Sequence, residues 1–511
     1  MNSHMTLERY HLPYYVEALD EMELLVTKNL FEETTIVSGL TYNSKEVEKN
    51  SLFICKGAAF KEDYLEEAIE KGAIAYVSEK KYDIRGDVPY ILVSDIQEAM
   101  APLASIFYNY PQNQLKLIGV GGTKGKTTTT YFFKAVLDAY LKNQGKKPAG
   151  IISSIVTYDG IQEEESTNTT PEAVELIRHL ANAVEAGLEY FVLEVSSQAL
   201  KYHRTDGLDF ELAIFLNIDE DHISPIEHPN YEDYLTSKLK MFKKTKHLVV
   251  NNETADKGRV FKRAQADAEN YYTFSTEAKE VGYYASDIHV EGFKTVFTIQ
   301  TEKWSENYKL AMPGLFNVEN ASAVIAGTDI LGIPQKYAQK VFLDIHVPGR
   351  TEFYQTDDEK IIAVVDFAHN RLSFERLYNS IQETYPKRHI VSVFGAPGGK
   401  ALGRRKELGQ IAGEYADFIY LTIEDPAFEE VEDISKEIAV YIEECGKPYQ
   451  IIEDRVEAIR TAFLAADEQT ILLITGKGHE TSNNIKGQSV PYATDIYYVQ
   501  QMIADYNKGI L

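Results

Sequence analysis

Residues 115–133 read L-K-L-I-G-V-G-G-T-K-G-K-T-T-T-T-Y-F-F, and the fold is decided here. The opening L-K-L-I-G-V is a run expected of a buried strand. A glycine turn follows, and Thr127 to Tyr140 then carries apolar residues at helical spacing. Strand, glycine turn and helix in that order form a phosphate-binding context. Backbone N–H groups at the helix start point at an anion, the helix dipole favours negative charge, and glycine lets the backbone approach closely. The template G-x-x-x-x-G-K-[ST] is met at Gly125, Lys126 and Thr127, but Val120 stands where it asks for glycine. In that template Lys126 reaches the β/γ-phosphates and Thr127 holds Mg2+. The loop alone does not choose among ATPase, GTPase, kinase and ligase.

Similar buried runs surround it. S-L-F-I-C (51–55), A-I-A-Y-V (73–77) and Y-I-L-V (90–93) precede the loop. Y-F-V-L-E-V (190–195), L-A-I-F-L-N-I (212–218) and H-L-V-V-N-N (247–252) follow it. Then come I-I-A-V-V-D-F (361–367), H-I-V-S-V-F-G (389–395), F-I-Y-L-T (418–422) and I-L-L-I-T-G (471–476). Helical segments alternate with these runs, as in parallel α/β sheets. Polar, proline-bearing breaks at Y-P-Q-N-Q (110–114) and V-P-G-R (347–350) divide the chain into three α/β domains, 1–112, 113–346 and 347–511. The central one is a parallel-sheet domain of P-loop ATPase type and the last is Rossmann-like. A length of 511 residues requires such a division, because single cores stop growing near ~250–300 residues.

Composition narrows the function. A formal net charge of −26 argues against general binding to nucleic acid or membrane surfaces. The two cysteines, Cys55 and Cys445, cannot build a disulfide framework or a four-cysteine zinc site, so a reducing cytoplasm is expected. No stretch reaches the ~18 consecutive apolar residues of a membrane span, and no signal peptide is evident. The opening M-N-S-H reads as a cloning remnant before a native Met5. The 34 tyrosines are scattered and read as amphipathic packing.

Ten fragments recur in a telling order. They are G-T-K-G-K-T-T-T (122–129), T-N-T-T-P-E (167–172), L-E-V-S-S-Q-A-L (193–200), F-L-N-I-D-E-D-H (215–222) and Y-E-D-Y-L-T-S-K (231–238). G-L-F-N-V-E-N-A (314–321), P-G-R-T-E (348–352), D-F-A-H-N (366–370), E-D-P-A (424–427) and G-K-G-H-E (476–480) follow. Together they resemble the Mur ligases, ATP-dependent amino-acid-adding enzymes of peptidoglycan synthesis. Among these the chain looks most like the MurE type, which adds the third residue of the stem peptide. Y-N-S-K-E-V (42–47) and K-G-A-A-F-K (56–61) look like that type's UDP-sugar domain. The family's loop is G-T-x-G-K-T, so Val120 is no departure from it.

The resemblance implies a reaction. ATP phosphorylates the carboxylate of UDP-N-acetylmuramoyl-L-Ala-D-Glu, an amine attacks the acyl phosphate, and phosphate leaves. The protein positions the reactants and neutralises charge, and the third domain closes to keep water from the acyl phosphate. By the same resemblance Gly122, Thr123, Lys124, Gly125, Lys126, Thr127 and Thr128 cradle ATP, with Lys126 on the phosphates. For Lys124 a loop cation and a solvent-facing side chain remain equal readings. Thr127, Glu194, His222 and Lys238 serve two Mg2+ sites, Lys238 after CO2 converts it to a carbamate. Glu194 ends an otherwise apolar strand, where a carboxylate needs a partner. Apart from the resemblance, Lys238 reads as a helix-surface lysine beside Lys240, Lys243 and Lys244. Asn317 and Asn320 hold the adenine side, Arg350 meets the phosphates, and Asp366 contacts ATP. Ser44, Thr169, Thr170, Ser196 and Arg204 bind the UDP-sugar peptide, and Arg204 has the fork geometry for a carboxylate or phosphate.

The added amino acid is read from 424–427. Members that add meso-diaminopimelate carry D-N-P-R, whose arginine can pair with the distal carboxylate. Here Glu424, Asp425, Pro426 and Ala427 offer no cation, and an acidic pocket favours the ε-ammonium of L-lysine. Lysine-adding members show D-N-P-A or D-D-P-N. Glu424 leaves ornithine open, and an acidic turn before proline is the plain alternative for that residue. Gly476 and Glu480 hold the amino acid's α-amino and α-carboxylate end. D-F-A-H-N-R-L (366–372) and G-A-P-G-G-K-A-L-G-R-R (395–405) depart from the family's usual wording. Folylpolyglutamate synthase shares the loop, but it should lack the N-terminal UDP-sugar domain. An amidotransferase subunit would need four zinc-binding cysteines. The set Lys126, Glu194, His222 and Lys238 argues against a non-catalytic nucleotide-binding protein. A monomer is expected.

Overall fold

The computed structural model describes residues 10–30, 34–57, 60–84, 86–220, 223, 227–243, 245–291, 294–400, 402–466 and 469–510. The reading of residues 1–4 as a cloning remnant lies outside them. The chain divides into two compact units, Met1–Tyr284 with Ser322–Ala338, and Ala285–Ala321 with Gln339–Leu511.

In the first unit, strands β1 (Leu25–Asn29), β2 (Gly39–Thr41), β3 (Ser51–Ile54), β4 (Ala73–Ser78) and β5 (Tyr90–Val93) form a sheet in the order β1-β5-β4-β3-β2. Only β1 runs antiparallel, paired to β5. Its mostly exposed residues suit an edge, whereas β3 is buried throughout. Asp95 caps the following helix, Ile96–Phe107, by accepting from the backbone N–H of Gln97 and Glu98.

The same unit holds β6 (Lys116–Gly121), β7 (Gly150–Ile152), β8 (Val156–Tyr158), β9 (Glu163–Glu165), β10 (Tyr190–Glu194), β11 (Phe210–Phe215), β12 (Thr245–Asn251) and β13 (Asn270–Ser275). Their order is β13-β12-β11-β6-β10-β7-β8-β9. The run from β13 to β7 is parallel, and β8 and β9 add antiparallel edges. Strand β6 sits between β10 and β11. Two of its glycines make room for neighbours. A Cβ on Gly119 would stand 2.7 Å from the Phe210 ring, and one on Gly121 would stand 2.8 Å from Met241 Sδ. Val120, between them, is fully buried.

Strand β14 (Tyr283–Glu291) carries the chain from the first unit into the second, where β15 (Lys294–Gln300) and β16 (Ser305–Leu310) form an antiparallel pair. The second unit also holds β17 (Glu352–Gln355), β18 (Ile361–Asp366), β19 (His389–Phe394), β20 (Phe418–Leu421), β21 (Tyr449–Ile451) and β22 (Thr470–Thr475). Their order is β17-β18-β22-β19-β20-β21, parallel except for β17. A hairpin, β23 (Ser482–Ile485) and β24 (Gln488–Pro491), follows β22. All the expected buried runs form strands, in three separate α/β sheets. Among the described residues no helix is long and apolar enough to cross a membrane.

Candidate functional site

Parallel sheets place loops that bind ligands at the carboxyl ends of their strands. Register sets Glu194, the last residue of β10, opposite Val120, so the carboxylate lies at the edge where the glycine loop leaves β6. In that loop Gly122 has φ 142° and Gly125, which caps helix Lys126–Asn143, has φ 87°. Glycine adopts both without steric cost. Asn217, just after β11, fixes the loop. Its Oδ1 accepts from the N–H of Thr123 (3.0 Å) and Lys124 (2.8 Å), and its Nδ2 donates to Lys124 O at 3.1 Å. The Lys126 ammonium donates to the carbonyls of Gly122 and Thr123, each at 3.1 Å. Thr127 Oγ1 lies 2.9 Å from Ser154 Oγ, and Thr128 is buried in the first helical turn.

Lys238 is 3% exposed, and its ammonium donates to Gly122 O at 2.6 Å. It therefore is no surface lysine, as a plain reading of its helix would have it. Tyr234, one turn earlier on helix Tyr231–Leu239, lies beneath it, with the ring centroid 4.8 Å from Nζ. Tyr234 Oη meets Thr123 Oγ1 at 2.9 Å. Glu194, 1% exposed, accepts from the Ser154 N–H at 2.7 Å. Lys126 and Lys238 thus both bond the glycine loop, while Ser154 links Thr127 to Glu194 at the same sheet edge, with Mg2+-compatible oxygens at Thr127 and Glu194. His222 lies outside the described residues.

Thr170 extends the site. Its hydroxyl donates to Glu194 O at 2.8 Å and accepts from the Ser196 N–H at 3.1 Å. Ser196 caps the short helix Ser197–Lys201 by accepting from the Ala199 N–H. Arg204 Nη1 donates to Thr170 O at 3.0 Å. Thr169 is half-buried beside them. Ser44 donates instead to Glu67 Oε2 at 2.6 Å, and its carbonyl accepts from Lys71, both inside the first sheet's own layer. The buried His228 bridges Ser197 Oγ (3.0 Å) and Asp233 Oδ2 (2.6 Å), tying the Ser196 helix to the helix of Lys238.

The second unit has its own cluster at a strand edge. Asp366 ends β18 opposite Thr475 of β22. Its carboxylate accepts from Thr351 N–H (2.7 Å), Thr351 Oγ1 (2.8 Å) and Ala368 N–H (2.6 Å). Burial pushes its pKa up, against the opposing pull of Arg350 and these donors. The Arg350 guanidinium stacks 4.6 Å from the Phe367 ring centroid. His479, its Nδ1 buried, is held down to about 4 by burial and then by Arg350 and Lys477. Asn317 and Asn320, one turn apart on helix Leu315–Ile330, are buried. Asn317 Nδ2 donates to Pro313 O at 2.8 Å, while its Oδ1 is buried with no hydrogen-bond partner among the described residues.

The E-D-P-A turn is strained, with Asp425 at φ 45° and Ala427 at φ 53°. The hairpin clasps it. Ala427 N–H donates to Asn484 O (3.0 Å), Asn484 N–H donates to Asp425 Oδ1 (2.9 Å), and Lys486 N–H donates to Ala427 O (2.5 Å). On the other side a Cβ on Gly398 would fall 1.8 Å from Pro426 O, and one on Gly476 would fall 2.2 Å from Glu424 Oε2. Backbone contact requires glycine at Gly398, and a φ of 107° favours it at Gly476. Lys477 is fully buried and donates to Asp425 Oδ1 (2.9 Å), Glu480 Oε2 (2.5 Å) and Ser482 O (2.6 Å). Burial pushes Glu424 up to about 8, although Arg455 and Lys477 pull the other way. Glu480 is raised for the same reason. Arg455 is itself matched by Asp495 through two 2.7 Å bonds. Lys477 is thus the buried cation that pairs with Asp425 and Glu480, with Glu424 close enough to feel its charge. Sequence reasoning took Gly476 and Glu480 from G-K-G-H-E and passed over Lys477. It likewise passed over Asn217 and Tyr234, which stand inside quoted fragments where only the folded geometry reveals their partners.

Residues 120–328 match the Mur ligase middle domain, and residues 349–478 match the Mur ligase, glutamate ligase domain. The chain is 36% identical over 494 residues to the UDP-N-acetylmuramyl-tripeptide synthetase of Lactobacillus delbrueckii subsp. bulgaricus, covering 93% of this chain and 95% of that protein. It is 36% identical over 475 residues to the UDP-N-acetylmuramoyl-L-alanyl-D-glutamate--L-lysine ligase of Enterococcus faecalis, covering 92% of each. To the protein of that same name from Streptococcus mutans it is 37% identical over 460 residues, covering 89% of this chain and 90% of the relative. Two solved structures share the fold. A UDP-N-acetylmuramoyl-L-alanyl-D-glutamate--2,6-diaminopimelate ligase gives a TM-score of 0.66 at 24% identity, covering 94% and 97% of the two chains. The MurF ligase of Thermotoga maritima in complex with ADP gives 0.60 at 19% identity, covering 93% and 99%. The chain belongs to the Mur ligase family.

Proposed function

We propose that this protein is the ATP-dependent, ADP-forming ligase that adds L-lysine to UDP-N-acetylmuramoyl-L-Ala-D-Glu in the cytoplasm. The observation that carries this reading is the placing of Lys126, Thr127, Glu194 and Lys238 at the sheet edge where the glycine loop leaves β6, in a chain collinear with lysine-adding relatives. Lys126 neutralises the β/γ-phosphates, and the loop N–H groups orient them for in-line transfer. Thr127, Glu194 and His222 would hold Mg2+, with Lys238 joining them as its carbamate; Mg2+ would supply charge neutralisation on the transferring phosphoryl group. A lysine held out of water is a suitable amine for CO2 addition. Asn317, whose buried side-chain carbonyl has no hydrogen-bond partner among the described residues, and Asn320 take the adenine side, and Arg350 and Asp366 serve the nucleotide as well. Thr169, Thr170, Ser196 and Arg204 receive the acceptor peptide, with Ser44 on the UDP side. Residues 1–112 form the UDP-sugar domain, 113–346 the ATP domain and 347–511 the amino-acid domain.

The acid-rich pocket of Glu424, Asp425 and Glu480 favours a side chain ending in an ammonium and disfavours a second carboxylate. Phosphate release with ATP, UDP-N-acetylmuramoyl-L-Ala-D-Glu and a panel of amino acids tests the reading. Lysine-stimulated turnover is expected. Turnover with diaminopimelate or ornithine in its place would overturn the specificity, and full activity in Lys238→Ala would overturn the carbamate role.

A further inference from the structure

Two cations from separate parts of the first unit converge on one carboxylate. Lys56, in the loop after β3, pairs with Glu172 Oε2, and Arg204 Nη2 pairs with Glu172 Oε1 at 2.7 Å. Each oxygen of Glu172 is thus engaged by a different cation. The Lys56 ammonium also lies 4.7 Å from the Tyr42 ring centroid, and Tyr42 Oη bonds Glu175, one turn along the helix that Glu172 caps. Arg204 spends Nη1 on Thr170 O, while its Nε is buried with no hydrogen-bond partner among the described residues. The three side chains are only 15–23% exposed, so water screens them poorly.

A guanidinium and an ammonium facing one another across a single carboxylate is the arrangement that holds an anionic ligand. One buried Arg204 donor is still to be satisfied, and a buried unpaired donor is unfavourable. Thr170, one bond from Arg204, is itself one bond from Glu194 at the phosphate edge. The pair therefore stands beside the chemistry, on the side where the acceptor enters under the proposed function, on which this inference rests.

We propose that Lys56 and Arg204 form a two-cation clamp for an anionic group of the nucleotide-sugar acceptor, with Glu172 keeping the two cations apart and oriented until that anion displaces it. The anion is a carboxylate or a phosphate oxygen. Lys56 opens K-G-A-A-F-K, a fragment that resembles the family's UDP-sugar domain, and only the folded geometry sets it opposite Arg204 across Glu172.

Calorimetric titration of the full chain with UDP, with UDP-N-acetylmuramoyl-L-Ala and with UDP-N-acetylmuramoyl-L-Ala-D-Glu tests the clamp, comparing wild type, Lys56→Gln, Lys56→Arg and Glu172→Gln. Lys56→Gln is expected to weaken the full acceptor by on the order of tenfold, the effect of losing one charge-assisted contact. Lys56→Arg should restore most of it, and ATP affinity should stay within about twofold. Weakening confined to the glutamate-bearing ligand assigns the clamp to a carboxylate, and weakening of all three assigns it to the diphosphate. Glu172→Gln, which removes the internal competitor, should bind the acceptor as tightly as wild type or more tightly. Unchanged acceptor affinity in Lys56→Gln overturns the clamp, as does a loss that includes ATP or that Lys56→Arg fails to restore. Loss of acceptor affinity in Glu172→Gln overturns the displacement step. A wild-type protein that binds none of the three ligands overturns the proposed function instead.

Discussion

Replacing Lys477 with methionine removes the buried cation beside the E-D-P-A turn while keeping most of its volume. The ammonium is in contact with Asp425, Glu480 and the Ser482 carbonyl at 2.9, 2.5 and 2.6 Å. Breaking a buried ion pair by deleting one partner costs about 3–5 kcal/mol, because the other charge is stranded. Here the stranded side chains keep some access to water, 26% exposed at Asp425 and 35% at Glu480, so part of that penalty is relieved. The expected cost is about 2–3 kcal/mol. The same deletion removes one of the two cations that pull Glu424 down, so its pKa should climb beyond about 8. Hydrogen exchange of the β22 amides, Thr470–Thr475, measures the loss in that sheet without assuming that the whole chain unfolds together. Adding Glu480→Gln should recover part of the loss, since it discharges one stranded group. A cost below about 1 kcal/mol, or strict additivity of the two substitutions, would refute the reasoning.

Three further outcomes follow from the geometry. Between pH 4.5 and about 8 the folded protein holds a proton on Glu424 that the unfolded chain has released. This contribution to stability is present in full below pH 4.5 and lost as pH rises through 8, an effect on the order of a few kcal/mol at most that urea midpoints across pH 5–9 should record and Glu424→Gln should abolish. Lysine binding draws on the ionised form, so the KM for lysine should fall over the same rise in pH. Tyr234→Phe deletes the bond to Thr123 Oγ1, which should cost about 1 kcal/mol and raise the KM for ATP more than that for the acceptor in steady-state assays. Gly119→Ala presses a methyl against Phe210 and should destabilise by about 1–3 kcal/mol in urea unfolding, with Phe210→Leu recovering part of it.

Much of the architecture was legible because parallel strands buried on both faces leave unbroken apolar runs. Y-F-V-L-E ending on Glu194 and I-L-L-I-T ending before Gly476 are examples. Strands without that signature went unread. E-E-E at 163–165 is a fully exposed edge, and Ser482–Ile485 is a short hairpin strand that also bridges Ala427 through Ile485. The phosphate loop was legible since its residues are contiguous. Tyr234 under Lys238, Asn217 across the loop and Lys477 among three carboxylates were not, because each acts through partners distant in sequence or through burial. Burial also decides Lys238 itself, which the sequence cannot tell apart from Lys240, Lys243 and Lys244 a few positions further along the chain.

The clasp on the E-D-P-A turn bears on how such a pocket can change its substrate. The turn is held by main-chain bonds to the hairpin and by a single side-chain atom, Asp425 Oδ1, which accepts from Lys477 and from Asn484 N–H. Asparagine offers the same oxygen, so D-N-P-R, D-N-P-A and D-D-P-N can all keep one scaffold. The side chain of Ala427 takes no part in the clasp, which uses only its main chain, so under the proposed function a substitution there can alter recognition while the turn is still held; buried Glu424 carries a stability term as well, and its exchange alters both.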